Sequence, residues 1–447
     1  MSAPGFVPRL DAADPACRPH LARLAGRAGE VDPAVERTVR EIVEAVRAEG
    51  DAALIRFTRE LDGVDLEREG LWIEEARLEQ AASRLDAATR AALEEAASRI
   101  RAFHEGQMAR LGLGGAPTPP EALPEGIYVD SRTTPLARVG CYVPGGTAAY
   151  PSSVLMNLLP ARVAGVEELV VAMPTPRGEV SDAALAAMRL AGVRRVLRAG
   201  GAQAVAALAY GTGSVPRVDK IVGPGNIYVA TAKRLLFGEV DIDMVAGPSE
   251  ILVVADDTAR PDFVAADLLS QAEHDPLASA VLLTPSRRLA DAVEAELARQ
   301  LARLPRRDIA ARSLAAFGAL VVTRDLDEAV ELANALAPEH CELAVADPAA
   351  LAPRIRNAGA LFLGHWATEA LGDYCAGPSH VLPTGGTARF FSPLSVETFL
   401  KRTSLIACSP EGARRLAPTA IRLAEVEGLE GHAEAVRLRQ RALEAGG

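Results

Sequence analysis

Cysteine is too sparse in this chain to build with. Five residues (Cys17, Cys141, Cys341, Cys375 and Cys408) are scattered, odd in number and without CxxC spacing. That excludes a disulfide framework and a cysteine-based zinc knuckle. Basic charge is not concentrated either: the formal net charge is -11 and no stretch gathers lysine or arginine on one face. A nucleic-acid or anionic-membrane surface is therefore not expected. No apolar run approaches membrane-spanning length, and Met1 to Arg9 lacks the charged start and apolar core of an export signal. The expected compartment is a reducing cytoplasm. The rest is ordinary globular composition, 49% apolar and 24% charged over 447 residues, enough for sizeable cores in two or three domains.

Histidine is the scarce residue that carries information. Of seven histidines, four fall in short polar clusters in the last two fifths of the chain. These read Ser270-Gln271-Ala272-Glu273-His274-Asp275, Ala337-Pro338-Glu339-His340, Gly372-Asp373 with His380 seven residues on, and Gly428-Leu429-Glu430-Gly431-His432. Histidine is the commonest metal ligand and titrates near neutral pH. Its repeated placement beside carboxylates and glycines indicates a site, and the chain reads as an enzyme.

The apolar pattern predicts the fold class. From about Asp32 to Leu111, the spacing of Leu54, Phe57 and Leu61 and the alanine and leucine pattern of Ala87 to Phe103 predict helices. From Leu136, short apolar strands alternate with helices. Strands are expected at 139–143, 168–173, 195–197 and 220–222, with helices at 152–164, 183–191, 203–210 and 226–236. The same grammar restarts at 251–255, with helices over 261–273 and 326–336 and strands at 280–283, 320–322 and 360–363. Such alternation predicts parallel sheets of the α/β class. Two units divide near Gly247-Pro248-Ser249, and a mostly helical tail from Val396 carries His432.

Gln271 and His274 are three residues apart near the end of a predicted helix, which puts them on one face. Histidine and aspartate are good zinc donors, and a glutamine amide oxygen is a rarer, harder one. The same residues also suit a polar helix terminus whose dipole favours His274. Pro338 predicts an exposed turn from which Glu339 and His340 reach one substrate. The histidine there can take an alcohol proton while the carboxylate activates water; an ordinary solvated turn would read the same way. Gly372-Asp373-Tyr374 and Gly377-Pro378-Ser379-His380 predict a loop, with Asp373 a ligand or a turn former and His380 a substrate contact. Gly223-Pro224-Gly225-Asn226 joins strand to helix, where free helix N–H groups suit an anion such as a dinucleotide pyrophosphate. It is not the GxGxxG fingerprint, no acidic residue stands where a ribose would need one, and a plain turn accounts for it equally. Pro144-Gly145-Gly146-Thr147 after Tyr142 is similar, and Tyr142 either stacks on a base or simply packs. Cys341 and Cys375 lie beside candidate residues but read as small buried hydrophobes.

Taken in order, residues 139–146, 218–226, 246–250, 270–275, 337–340 and 383–406 resemble the signatures of the histidinol dehydrogenase family, over about residues 30 to 440. The resemblance implies an α/β fold of two incomplete Rossmann-like parallel-sheet domains, with a helical N-terminal region and a helical C-terminal tail. Implied boundaries are 1–34 (N-terminal arm), 35–138 plus 249–394 (an α/β domain with most site residues), 139–248 (a second α/β domain) and 395–447 (a tail reaching the partner subunit). The implied activity is oxidation of L-histidinol to L-histidine through the aldehyde, in histidine biosynthesis, with a zinc ion in each subunit and two NAD molecules used in turn. By the same resemblance Gln271, His274, Asp373 and His432 are the zinc ligands, and Glu339 and His340 the acid/base pair. Ser249, His380 and Glu427 join those ligands and His340 as substrate contacts, and Tyr142, Gln203 and Asn226 contact the cofactor. The family is an intertwined homodimer, so His432 is expected to act in the partner's site. Ser379 stands where many relatives carry asparagine, a difference expected to alter only loop hydrogen bonding. A zinc hydrolase would use the same groups without a nucleotide. A periplasmic-type binding protein would share the two-lobed form but turn nothing over.

Overall fold

The computed structural model describes residues 6–26, 32–111, 125–145, 150–245 and 247–445. Residues 1–5 and 27–31 of the expected arm, Gly146 and Thr147 of the Pro144 turn, and Ala246 lie outside the described residues. Strands such as Glu250–Ala255 and Ser279–Thr284 are buried at every position, as a parallel strand must be when helices cover both faces of its sheet. No described helix is long and apolar enough to cross a membrane.

Two six-stranded sheets result. The first is ordered Trp72–Ile73, Val196–Leu197, Glu168–Ala172, Arg138–Tyr142, Lys220–Val222, Asp241–Ile242, parallel except where Trp72–Ile73 pairs. The chain moves outward from Arg138–Tyr142 on one side, then returns to its other side. A switch point therefore opens beyond the carboxyl ends of Arg138–Tyr142 and Lys220–Val222, the usual ligand crevice of open α/β sheets. The second sheet is ordered Arg9–Asp11, Gly318–Val322, Ser279–Thr284, Glu250–Ala255, His340–Ala344, Ala360–Leu363, parallel throughout.

Three expected boundaries differ from the packing. Residues 9–25 are not an arm: Arg9–Asp11 extends the second sheet, and helix Cys17–Ala25 buries Cys17, Leu21 and Leu24 in its core. Helices Pro33–Glu49 and Asp51–Asp62, expected with 249–394, cover the first sheet instead. Val39, Val43, Val46 and Leu54 share a core with Val170, Leu197, Val205 and Ile221. The tail, finally, begins as a strand. Leu400–Cys408 pairs antiparallel with Ile127–Pro135, and 107–135 with 400–447 form a compact unit separate from 1–106 plus 136–399. An amphipathic helix or edge strand accepts any matching apolar face, so its local pattern does not say which one it meets.

A buried ion pair holds the turn after Lys220–Val222. The side chains of Lys233 and Asp243 are 3% and 1% exposed. Lys233 donates to Asp243 and, at 3.0 Å, to the Gly223 carbonyl, while Asp243 accepts the Gly223 N–H at 2.8 Å. Gly223 takes φ +106, and a Cβ there would lie 2.1 Å from the Tyr142 carbonyl oxygen, so only glycine fits. Removing one ion-pair partner strands a buried charge. Lys233→Met is expected to lower stability to urea unfolding by about 3–5 kcal/mol, and the added change Asp243→Leu to restore part of that loss. A double variant as weak as the sum of the singles would contradict the pairing.

Candidate functional site

Three of the four histidine clusters converge. His274, His340 and His380 line one cavity of about 320 Å³ with Ser249, Gln271, Glu339 and Asp373. The cavity meets the carboxyl ends of the first sheet through Pro144, Pro224 and Asn226, and the amino ends of the second through Ser249, Glu339 and His340. A larger cleft of about 610 Å³, beside Trp72, Arg162 and Arg195, contains none of the candidate residues.

Pro338 does not open an exposed turn. Ala337 adopts φ 51 to end helix Leu326–Leu336, and Glu339 and His340 are 6% and 3% exposed. They are buried because His340 begins a strand held between Glu250–Ala255 and Ala360–Leu363. Both side chains grip one backbone unit. Glu339 Oε2 accepts the Glu250 N–H at 2.8 Å, and His340 Nδ1 donates to the Glu250 carbonyl at 2.9 Å. That bond leaves Nε2 as the working position of the ring. Nε2 is buried without a well-aligned hydrogen bond, 3.4 Å from Asp373 Oδ1. Burial pushes Glu339 up to about 8 against the pull of His340. Burial also opposes charge on His340, but Glu339, Asp373 and Glu369 outweigh it and raise the imidazole to about 10.

His274, Glu369 and Asp373 present ligand atoms within 4.8 Å of one another, the one such trio of His, Cys, Asp or Glu among the described residues. Gln271, 1% exposed, ends helix Pro261–Ala272 and joins them. With its amide nitrogen turned toward Glu369 it donates to that carboxylate at 3.0 Å and accepts the Glu250 N–H at 3.0 Å. His274 follows the helix and is open to solvent on one side, yet crowded enough that burial lowers its pKa, a neutral donor for a metal. Burial pushes Glu369 up to about 7. It would raise Asp373 as well, but the closeness and charge of His340, with His380 and His274, bring that carboxyl below its ordinary value. One nitrogen and several oxygens on a carboxyl-rich wall fit a divalent cation.

Asp373 is not in a loop: it lies on the short helix Glu369–Tyr374. Sequence reading missed Glu369, although its i, i+4 spacing to Asp373 on one helical turn was a usable signal. His380 donates from Nδ1 to the Asp373 carbonyl at 2.9 Å and faces Ser153 Oγ through Nε2 at 3.0 Å; burial lowers its pKa. Ser379 Oγ donates to the Met156 carbonyl at 3.1 Å and accepts the Val381 N–H at 3.2 Å, so this loop is fully bonded without asparagine. Cys341 is buried, its thiol pushed up to about 12 by burial.

Tyr142, Gln203 and Asn226 line a second cavity of about 460 Å³ that shares Pro144 and Asn226 with the first. The buried Tyr142 hydroxyl accepts the Gly201 N–H at 3.3 Å, and burial pushes the phenol up to about 12. Gln203 is fully buried, and neither its amide oxygen nor its nitrogen has a partner. Asn226 caps helix Ile227–Leu236, accepting the N–H groups of Tyr228 and Val229 at 3.1 and 3.2 Å. Those donors, expected to face an anion, are therefore already used. Glu427 and His432 belong to the other compact unit, where both are exposed.

Two Rossmann-like sheets, a buried histidine–carboxylate pair beside a metal-ready cluster, and an adjoining cleft define an α/β enzyme of the oxidoreductase type. The family model of histidinol dehydrogenase matches residues 26–440, and the chain belongs to that family, whose members oxidise a CH–OH group. It is similar to histidinol dehydrogenase of Syntrophotalea carbinolica (55% identity, covering 92% of this chain and 94% of that one). The same holds for that of Pseudomonas fluorescens (53%, covering 98% of each). The crystal structure of histidinol dehydrogenase from Elizabethkingia anophelis superposes with a TM-score of 0.90 at 32% identity, covering 98% of this chain and 99% of that chain. The hydrolase and binding-protein readings fall with that membership.

The cluster makes metal-free stability depend on pH. Glu369 and Glu339 rise from 4.5 to about 7 and about 8, and His340 from 6.5 to about 10. Each favours its protonated form when folded. The stabilisation is therefore present at low pH and lost as pH rises, first through the carboxyl range and then through that of His340. Above about pH 7, where the lowered imidazoles of His274 and His380 no longer act in the opposite sense, chelator-treated protein is expected to melt at steadily lower temperature up to about pH 9, less steeply in Glu339→Gln. A Tm that rises over this range would contradict the cause assigned.

Proposed function

We propose that this chain oxidises L-histidinol to L-histidine through L-histidinal in histidine biosynthesis, as a zinc- and NAD-dependent homodimer in the cytoplasm. The observation that carries the reading is His340, with Nδ1 committed to Glu250 and Nε2 3.4 Å from Asp373, which lines the same cavity with His274 and Gln271. When bound, zinc supplies a Lewis-acid anchor for the substrate's imidazole and amine, and NAD supplies the hydride acceptor. Gln271, His274 and Asp373 hold the metal, with Glu369 beside them. His340 receives the hydroxyl proton at Nε2 as hydride leaves the carbinol carbon. It must be neutral to do so, and Asp373, one of the carboxylates that raise its pKa, would lose that hold as a ligand of a bound dication. Glu339 would then take a proton from the water that adds to the aldehyde carbon while the aldehyde oxygen takes back the proton held by His340, and His340 would again receive a hydroxyl proton as the hydrate is oxidised. Ser249 and His380 line the same cavity as substrate contacts. Five free cysteines suit a reducing compartment.

The fourth ligand is His432 of a second copy of the chain, with Glu427 as a substrate contact from the same tail. Support comes from the surface of the tail unit, where Val129 and Ile406 are 72% and 76% exposed on paired strands and Leu423, Val426 and Leu438 are exposed on its helices. So much uncovered apolar surface suits an interface, and closed two-fold symmetry would create two equivalent composite sites.

Two NADH should form for each histidinol consumed. In Glu339→Gln, which keeps His340, the alcohol step should survive in part while the aldehyde step falls by about two to four orders of magnitude. The NADH yield per histidinol then drops below two and aldehyde accumulates. Equal loss in both half-reactions would overturn this division of labour.

Trans ligation makes a second demand. His274→Ala and His432→Ala homodimers should each lack zinc and activity. After dissociation and reassociation together, a mixed dimer has one site missing both histidines and one intact. Activity and zinc should return. Proven mixed dimers without recovery would exclude the swapped tail.

A further inference from the structure

In Rossmann-like sheets the carboxylate that receives a ribose stands at the end of the second strand. Here that strand is Glu168–Ala172, and it runs into Met173-Pro174-Thr175-Pro176, with no acidic residue. Tertiary structure supplies one from far upstream. Helix Asp51–Asp62 stops at Gly63 in the left-handed region (φ 69) and packs on helix Gly201–Tyr210. Its last residue, Asp62, thereby enters the 460 Å³ cleft that Pro174, Pro176, Tyr142, Gln203 and Asn226 also line.

The cleft is polar in a way the protein alone does not satisfy. Asp62 Oδ2 is shut off from solvent and has no hydrogen-bond partner. The same is true of both amide atoms of the fully buried Gln203. Burial raises the Asp62 carboxyl, and a hydrogen bond with the Gly200 backbone offsets this only in part. Unpaired polar atoms this far from water are costly unless a ligand completes them. A vicinal diol offers two O–H donors at the spacing of one carboxylate, whereas a phosphate beside Asp62 would set charge against like charge in a low-dielectric cleft.

We infer that Asp62 receives the adenosine-ribose hydroxyls of the dinucleotide and rejects a 2′-phosphate, so that it selects NAD over NADP. This rests on the NAD dependence proposed above. Gln203, which lines the same cleft, adds to the polar wall against which the ribose lies.

The test is equilibrium binding to the full-length protein by calorimetry, with NAD, NADP and NAD lacking the adenosine 2′-hydroxyl, for the wild type, Asp62→Asn and Asp62→Ser. The wild type should prefer NAD to both other ligands by about tenfold or more. Each variant should bind NAD about tenfold more weakly, lose most of its preference over the deoxy analogue, and gain NADP affinity relative to NAD. Ratios taken within one preparation cancel any unfolded fraction, and a gain for NADP cannot come from misfolding. In turnover the loss should fall on KM for NAD and not on KM for histidinol. Variants with wild-type ratios would overturn the assignment of Asp62 while leaving NAD dependence intact. A wild type that binds neither dinucleotide would overturn the cofactor reading, and this inference with it.

Discussion

The constraint behind the site is the burial of several carboxyl groups in one cluster, three of which, Glu339, Glu369 and Asp373, act on the imidazole of His340. Glu339, Glu342 and Glu369 are each less than a tenth exposed, and Asp267 and Asp373 stand against them. Burial alone disfavours every one of these charges, and their mutual repulsion adds to the penalty. The backbone offsets part of it: Glu339 accepts the Glu250 N–H, and Glu342 accepts the Glu369 N–H at 2.8 Å. Thr368 and Ser270 donate hydroxyls to Asp267 and Glu369 at 2.8 and 3.1 Å. What remains is a carboxyl-rich wall that favours a proton on His340 or else a cation beside His274. Each backbone donor comes from the amino edge of the second sheet or the helix facing it, so the strand register there decides whether the cluster exists.

Opposite ends of the two sheets meet at the cavity. The first sheet contributes the carboxyl ends of its strands at the switch point, as a nucleotide-binding sheet does. The second contributes its amino ends, where Glu339 and His340 enter a central strand. Such an arrangement keeps the cleft of the first sheet apart from the histidine–carboxylate cavity of the second. The Lys233–Asp243 pair fixes the Gly223 turn on the first-sheet side through both N–H and carbonyl. Asn226, at the end of that turn, lines both cavities.

Much of this was readable in the residues. Strands 220–222 and 360–363 and the helix over 326–336 have the bounds that periodicity predicts, because a helix face or a strand covered on both sides writes its burial into neighbouring positions. Gln271, His274, Glu339, His340, Asp373 and His380 were identified as candidates and share one cavity. Exposure was misread, however. Glycine and proline around residues 338 and 372 suggested solvated turns, whereas one segment begins a buried strand and the other forms a helical turn.

Local propensity, the α/β class and the set of chemistry-bearing motifs were determined by the sequence alone, since each depends on contacts within a few residues. Only the tertiary structure decided which sheet the helices 33–62 cover, that Glu369 stands beside His274, and that Asp62 reaches the cleft of Tyr142 and Gln203. Those are meetings between segments tens to hundreds of residues apart. They are selected by the shape and charge of whole faces, which no window of neighbouring residues contains.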